Sequence, residues 1–261
     1  MDSVTSKDGT VITYDRLGSG PAVILVTGGS VDRMSNAGLA ELLAPHFTVF
    51  NYDRRGRNES GDTPPYAVER EVEDIAAVAD AAGGSAYLYG SSSGAALAME
   101  AARQLGGDVI TKLALWEPPY IPDGFPRPPA DTAKIFSDLV AQGRRDAAAD
   151  FFMEKVVGLP PEFAAQMHNS PFWPQQLALA HTLAYDATIM GDYTLPVERV
   201  AQVTIPTLVL AGSASMPFMP VTAQAIVEHL PNGQQRILEG QRHDASAESL
   251  ASALIPFFSG E

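Results

Sequence analysis

Tyr87-Leu88-Tyr89-Gly90-Ser91-Ser92-Ser93-Gly94-Ala95-Ala96 is the stretch on which the fold turns. Residues 85–89 read as a strand and residues 92–105 as a helix, so Gly90-Ser91-Ser92-Ser93-Gly94 fits G-x-S-x-G in a strand-turn-helix context. Such a turn lifts the central serine oxygen clear of the sheet edge, and its glycines let backbones approach where a Cβ would clash. Ala95, Ala96 and Ala98 are small enough for the helix to pack closely. The plain alternative is a Gly/Ser turn. A phosphate loop is excluded because no Gly-Lys-Ser/Thr follows.

Working outward, residues 10–17 form a strand-like run closed by Gly18-Ser19-Gly20-Pro21, and a hairpin into the next strand is expected. Ala22-Val23-Ile24-Leu25-Val26-Thr27 is apolar and β-branched without alternation, as for a strand covered on both faces. A short helix over 38–44 leads to a strand over 47–52. Val72, Ile75, Ala79 and Ala82 recur at helical spacing until Gly83-Gly84 stops the pattern. A strand over 109–116 completes the first series, and the alternation implies a mostly parallel, doubly covered sheet of the α/β class.

The rhythm breaks at Pro118-Pro119. Helical segments follow near 133–141, 147–157, 161–167 and 175–190, and residues 118–200 are read as an inserted helical cap. Residues 204–210 restore the buried-strand pattern, followed by a helix over 222–230, a strand over 235–238 and a helix over 248–258. The organisation expected is a core domain of residues 1–117 and 201–261 with a cap of residues 118–200. No internal repeat is evident.

Bulk properties narrow the function. The 261 residues suit one domain with an excursion, 46% are apolar and 18% charged, and no apolar run approaches bilayer length, so no membrane association is expected. Residues 1–8 are polar, without a secretory signature, which favours the cytoplasm. The absence of cysteine excludes disulfides and thiolate chemistry. A formal charge of −14 repels phosphate backbones, which argues against a nucleic-acid partner. His46, His168, His181 and His229 show no ligand-type pairing, so no metal is expected and they read as surface or packing residues.

Over nearly its full length the chain resembles the α/β-hydrolase family, with the fold that name implies: a mostly parallel, doubly covered sheet carrying a helical cap insertion. Thr27-Gly28-Gly29 stands where that family has His-Gly-x after its third strand, which implies an oxyanion hole from the N–H groups of Gly29 and Ser93. Asp53-Arg54-Arg55-Gly56-Arg57-Asn58-Glu59-Ser60 is similar to its D-x-R-G-x-G-x-S loop, with Asn58 in place of a glycine, and reads as structural. His243 follows the last strand, where the family places its base; a serine hydroxyl is a poor nucleophile until an imidazole accepts its proton.

The departure concerns the acid. The resemblance puts an aspartate at position 215, but Ser215 stands there and no carboxylate occurs between Gly212 and Pro220. Glu117, at the end of the sixth strand in Leu115-Trp116-Glu117-Pro118-Pro119, is the natural replacement, with Asp244 as rival. An aspartate adjacent to His243 has difficulty reaching Nδ1 while Nε2 faces Ser92. Haloalkane dehalogenases and zearalenone lactonases also use an acid after the sixth strand. The chain is distantly similar to the lactonases through its serine-rich elbow and Gly212-Ser213-Ala214-Ser215. A dehalogenase needs a carboxylate at position 92.

The expectation is a serine hydrolase of a carboxylic ester or lactone, hydrophobic rather than charged, acting through an acyl-enzyme on Ser92 without a cofactor. Phe152, Trp173, His181 and Tyr185 in the cap are the candidate substrate contacts, alongside Phe151, Met153, Phe172 and Met190. The rivals are a biosynthetic lyase, cyclase or thioesterase on the same fold, and a non-catalytic ligand-binding chain that keeps the elbow. Glu117 within reach of His243 would argue against the last. Neither the natural substrate nor the oligomeric state follows from the sequence.

Overall fold

The computed structural model describes residues 1–260. Eight strands form one sheet: β1 (Asp2–Thr5), β2 (Val11–Leu17), β3 (Ala22–Val26), β4 (Thr48–Tyr52), β5 (Ala86–Ser91), β6 (Ile110–Trp116), β7 (Thr207–Gly212) and β8 (Gly233–Leu238). Their order is β1-β2-β4-β3-β5-β6-β7-β8, antiparallel at β1/β2 and β2/β4 and parallel elsewhere. Strand order reverses around β3, between β4 and β5, and in open α/β sheets ligands bind beyond the carboxyl ends of the strands at such a point.

The unalternating apolar runs have the expected cause. Ile24 and Val26 of β3 join one core cluster with Val72 and Ile75 of α2 (Val68–Ala81) and Leu97 of α3 (Ser93–Leu105). Val23 and Leu25 join the opposite cluster with Leu39 and Leu43 of α1 (Ala37–Leu43) and with Leu250 and Leu254 of a C-terminal helix (Ala247–Ser259). Successive strand residues point to opposite faces, so a strand with helices on both sides must be apolar throughout.

The expected hairpin does not form. β2 pairs with β1 (Val4↔Ile12) and β4 (Tyr14↔Tyr52) and never touches β3 in register. The glycine-rich turn instead lies against the approach to β4: Thr48 N–H donates to Pro21 O at 3.0 Å and Thr48 Oγ1 to Gly20 O at 2.8 Å. A Cβ at Gly18 would sit 2.1 Å from Ala44 O, so this turn requires glycine to pass the segment entering β4. β4 thereby slots between the two strands that the turn connects. β1 had no sequence signal, being a short, polar edge strand.

Between β6 and β7 the chain forms α4 (Thr132–Ala141), α5 (Arg145–Phe151), α6 (Pro161–Met167), α7 (Trp173–Leu179), α8 (Leu183–Met190) and α9 (Val197–Val200). The single helix expected over 175–190 is broken by a 3-10 turn at Ala180–Thr182, and the segment after α5 is a π-helical turn, Phe152–Val156. Phe136, Ala148, Ala180, Leu183, Ala184 and Ala187 give this insertion a small core of its own. α10 (Phe218–His229) and α11 (Ala247–Ser259) complete the fold. α11 opens with Ser246 Oγ accepting from Ser249 N–H at 3.2 Å, an N-cap. No described helix is long and apolar enough to cross a membrane.

Candidate active site

β5 ends at Ser91, α3 begins at Ser93, and Ser92 between them has φ 54° and ψ −128°. A non-glycine residue held there costs about 1–3 kcal/mol, which the surrounding packing has to sustain. Ser92 N–H donates to Trp116 O at 2.8 Å, so the neighbouring strand end fixes the turn. A Cβ at Gly90 would lie 2.4 Å from Gly94 O and one at Gly94 would lie 2.2 Å from Thr27 O. Both glycines are required because three backbones converge here.

Glu117 is the residue after β6, with φ 45° and a fully buried side chain. Its Oε1 accepts from Gly212 N–H at 2.8 Å, and its Oε2 accepts from Ser215 Oγ at 2.8 Å and contacts His243 Nδ1 at 2.6 Å. Burying a carboxylate is costly unless charge-assisted hydrogen bonds replace its water, and these three contacts supply them. Ser215, at the position where an aspartate was expected, is thus a donor to the Glu117 carboxylate. Trp116 Nε1 donates to His243 O at 2.9 Å, so both backbone and ring of this loop histidine are tied to the end of β6. Asp244 is exposed, 3.3 Å from Arg242, and makes no hydrogen bond to the imidazole.

Ser92 and His243 line one cavity of about 500 Å³ between the carboxyl ends of the strands and the insertion. Ser92 Oγ and His243 Nε2 form no hydrogen bond among the described residues. Gly29 and Ser93 line the same cavity. As the first residue of α3, Ser93 has an N–H that helix geometry leaves without an intrahelical partner. Gly28 packs closely under the elbow: a Cβ there would lie 3.0 Å from Ser92 Cβ and 3.1 Å from Ser91 O.

The loop after β4 turns out to reach this site. Arg54 pairs bidentately with Glu71, both distances 2.7 Å, and donates to Thr27 O at 3.3 Å. Arg57 donates to Gly28 O and, at 2.9 Å, to Val31 O. Both converge on Asp186 of α8, at 2.8 Å from Arg54 and 2.9 Å from Arg57, and Ser93 Oγ donates to the same carboxylate at 2.8 Å. Burial pushes the Asp186 carboxyl up, but the Arg57 and Arg54 guanidiniums outweigh it and hold it below the usual range. Burial, then the neighbouring Arg54, pushes Arg57 down despite Asp186. Asn58, standing for a glycine, has φ 45°, a region that Asn tolerates better than most residues.

The insertion supplies Phe136, Phe152, Val156, Leu183 and Met190 to the cavity wall. Of the four substrate contacts expected there, only Phe152 lines it. Trp173 stacks against His168 at 4.1 Å, and Tyr185 stacks on Tyr66 at 4.0 Å while donating to Asp62 at 2.7 Å. His181 lies 3.9 Å from the same Asp62. Trp173 thus packs within the insertion, while Tyr185 and His181 pack it against Tyr66 and Asp62 of the loop between β4 and α2. Phe172 is 62% exposed. Asp186 was missed altogether; a lone carboxylate in an apolar helix carries no local signal for partners 129 and 132 positions away. No group of metal-ligating side chains occurs among the described residues.

Comparison with known proteins gives three kinds of match. The family described as "Alpha/beta hydrolase family" matches residues 23–252. An alpha/beta hydrolase from Sphaerobacter thermophilus has a solved structure that is 50% identical, with a TM-score of 0.91, covering 98% of this chain and 100% of that one. A thermophilic esterase from Thermogutta terrifontis is 22% identical with a TM-score of 0.77, covering 99% and 98%, a likeness of fold. Among curated relatives, a pimeloyl-[acyl-carrier protein] methyl ester esterase from Methylococcus capsulatus is 30% identical over 148 residues, 56% of this chain. The matched stretches span only 35%, 39% and 57% of the lengths of the first curated relatives.

Proposed function

The chain belongs to the alpha/beta hydrolase family, and from that premise we propose that it is a serine hydrolase of hydrophobic carboxylic esters or lactones. The observation that carries this reading is the buried Glu117 carboxylate 2.6 Å from His243 Nδ1, in a loop that shares a cavity with Ser92. An ionised acid at Nδ1 selects the tautomer whose Nε2 is free to accept a proton, and it stabilises the imidazolium that results. The same contact argues against a ligand-binding chain that merely retains the elbow.

In the proposed reaction Ser92 Oγ attacks the acyl carbonyl as its proton passes to His243 Nε2. The tetrahedral oxyanion receives hydrogen bonds from the N–H groups of Gly29 and Ser93, each donor worth about 3 kcal/mol in such sites. Collapse expels the alcohol, which takes the proton from His243. Water then attacks the acyl-enzyme by the same route, returning Ser92 and releasing the acid. The helices between β6 and β7 act as a cap whose apolar wall sets substrate size, and no cofactor enters any step.

Labelling with a fluorophosphonate followed by peptide mapping tests the nucleophile without knowledge of the substrate. The label should map to Ser92 and vanish in Ser92→Ala with the fold intact. A label on Ser91 or Ser93, or one undiminished in the variant, would sink the reading.

A further inference from the structure

The cavity contains no free cation. Its described lining has two carboxylates, Asp186 and Asp244, and one imidazole, with no lysine or arginine. The nearest guanidiniums, Arg54 and Arg57, are fully buried beneath the Gly28-Gly29 turn and already hold Asp186. Arg54 has a second counterion in Glu71, whereas Arg57 has only Asp186, and its Nε is buried without a partner. Asp186 reaches the arginines from the insertion. Its carboxylate borders both the cavity and the proposed oxyanion donors, since a Cβ at Gly29 would stand 3.2 Å from Asp186 Oδ2.

Two arginines and a serine hydroxyl around one carboxylate are what a site for a carboxylate-bearing ligand would contain. Resting on the reading of Ser92 as nucleophile, we propose that Asp186 is a built-in carboxylate that occupies this anion subsite and restricts the cavity to acyl groups without negative charge. A substrate carboxylate entering beside it meets a cluster whose charges (Arg54, Arg57, Glu71, Asp186) already cancel, so it is desolvated with no counterion. Removing Asp186 leaves one uncompensated guanidinium, and the discrimination against a charged acyl group weakens with it. Asp186 is in these terms a specificity residue, taking no part in proton transfer.

The test compares kcat/KM for p-nitrophenyl pentanoate and the mono-p-nitrophenyl ester of glutaric acid, which differ at the far end of the acyl chain by a methyl against a carboxylate. The wild-type protein should favour the neutral ester by about 100-fold or more. Asp186→Asn, which keeps the shape, and Asp186→Ala, which opens the subsite, should each shrink that preference by about tenfold or more. Acetate, compared with chloride at equal ionic strength, should raise the Tm of Asp186→Ala and leave the wild type unmoved. Equal use of both esters by the wild type overturns the proposal, as does an unchanged preference in folded Asp186→Asn. If Asp186→Ala does not fold, the wild-type preference and Asp186→Asn decide. If the wild type hydrolyses neither ester and resists the fluorophosphonate, the serine-hydrolase reading fails. The acetate comparison then still decides the anion subsite, an indifferent Asp186→Ala overturning it.

Discussion

Glu117 shows how much one side chain can carry. It is buried, accepts from Gly212 and Ser215, and holds His243 Nδ1, so replacing its charge leaves the geometry in place and removes the tautomer selection. Glu117→Gln should lower kcat by about 10⁴ with KM little changed. Asp244→Asn, altering an exposed carboxylate paired with Arg242, should leave kcat close to the wild type. Steady-state kinetics on one chromogenic ester decides this, and a reversed pair of results would move the acid to Asp244. The placement of Ser92, Glu117 and His243 at one edge of the sheet was readable from sequence because each follows a strand, where local pattern fixes its position. Asp186 was not readable, since its partners are set by packing through space. The three arginines of residues 54–57, directly after an apolar strand, were the available hint of buried pairing.

At the level of elements, the βα rhythm identified nearly every strand and core helix, and failed where tertiary contacts override local signals. The turn at Gly18–Pro21 reads as a hairpin locally, yet β4 takes the intervening place. In the insertion, the side chains of the cavity wall and those of the seam with the β4–α2 loop are distinct sets, and two predictions separate them. Phe152, on the wall, should govern selectivity: Phe152→Ala should change the kcat/KM ratio between short and bulky esters more than it changes Tm. Equal losses on all esters, tracking a fall in Tm, would make Phe152 core. His181, on the seam, should govern stability. Burial, then Arg145, lowers its pKa from the ordinary 6.5, against the opposing pull of Asp62. The unfolded chain therefore binds this proton first. The stabilisation is complete above about pH 6.5 and is lost as the pH falls through the lower folded-state value. Thermal melts of wild type and His181→Gln should diverge in slope below that pH; parallel curves would assign the acid sensitivity to other groups.

For the molecule as a whole, the charge of −14 is concentrated outside, because Arg33, Arg54, Arg55 and Arg57 are buried against carboxylates. The Arg54–Glu71–Asp186–Arg57 cluster joins the sheet, α2 and the insertion, so sheet and insertion should unfold as one. The only two tryptophans report on each half, Trp116 at the end of β6 and Trp173 on α7. In Trp116→Phe and in Trp173→Phe, the remaining tryptophan's fluorescence midpoint in urea should coincide with that variant's far-UV circular dichroism midpoint. Separated midpoints in either variant would make the insertion an independent unit. The same cluster also orders events in time. Arg54 and Arg57 emerge in synthesis long before Asp186, their partner 132 and 129 positions on, and closing so long a loop is slow compared with local pairing. A nascent chain can thus set the elbow at Ser92 early, but its Thr27–Gly29 segment is clamped only when α8 docks. On refolding, fluorophosphonate reactivity should therefore return with the Trp173 signal and not before it.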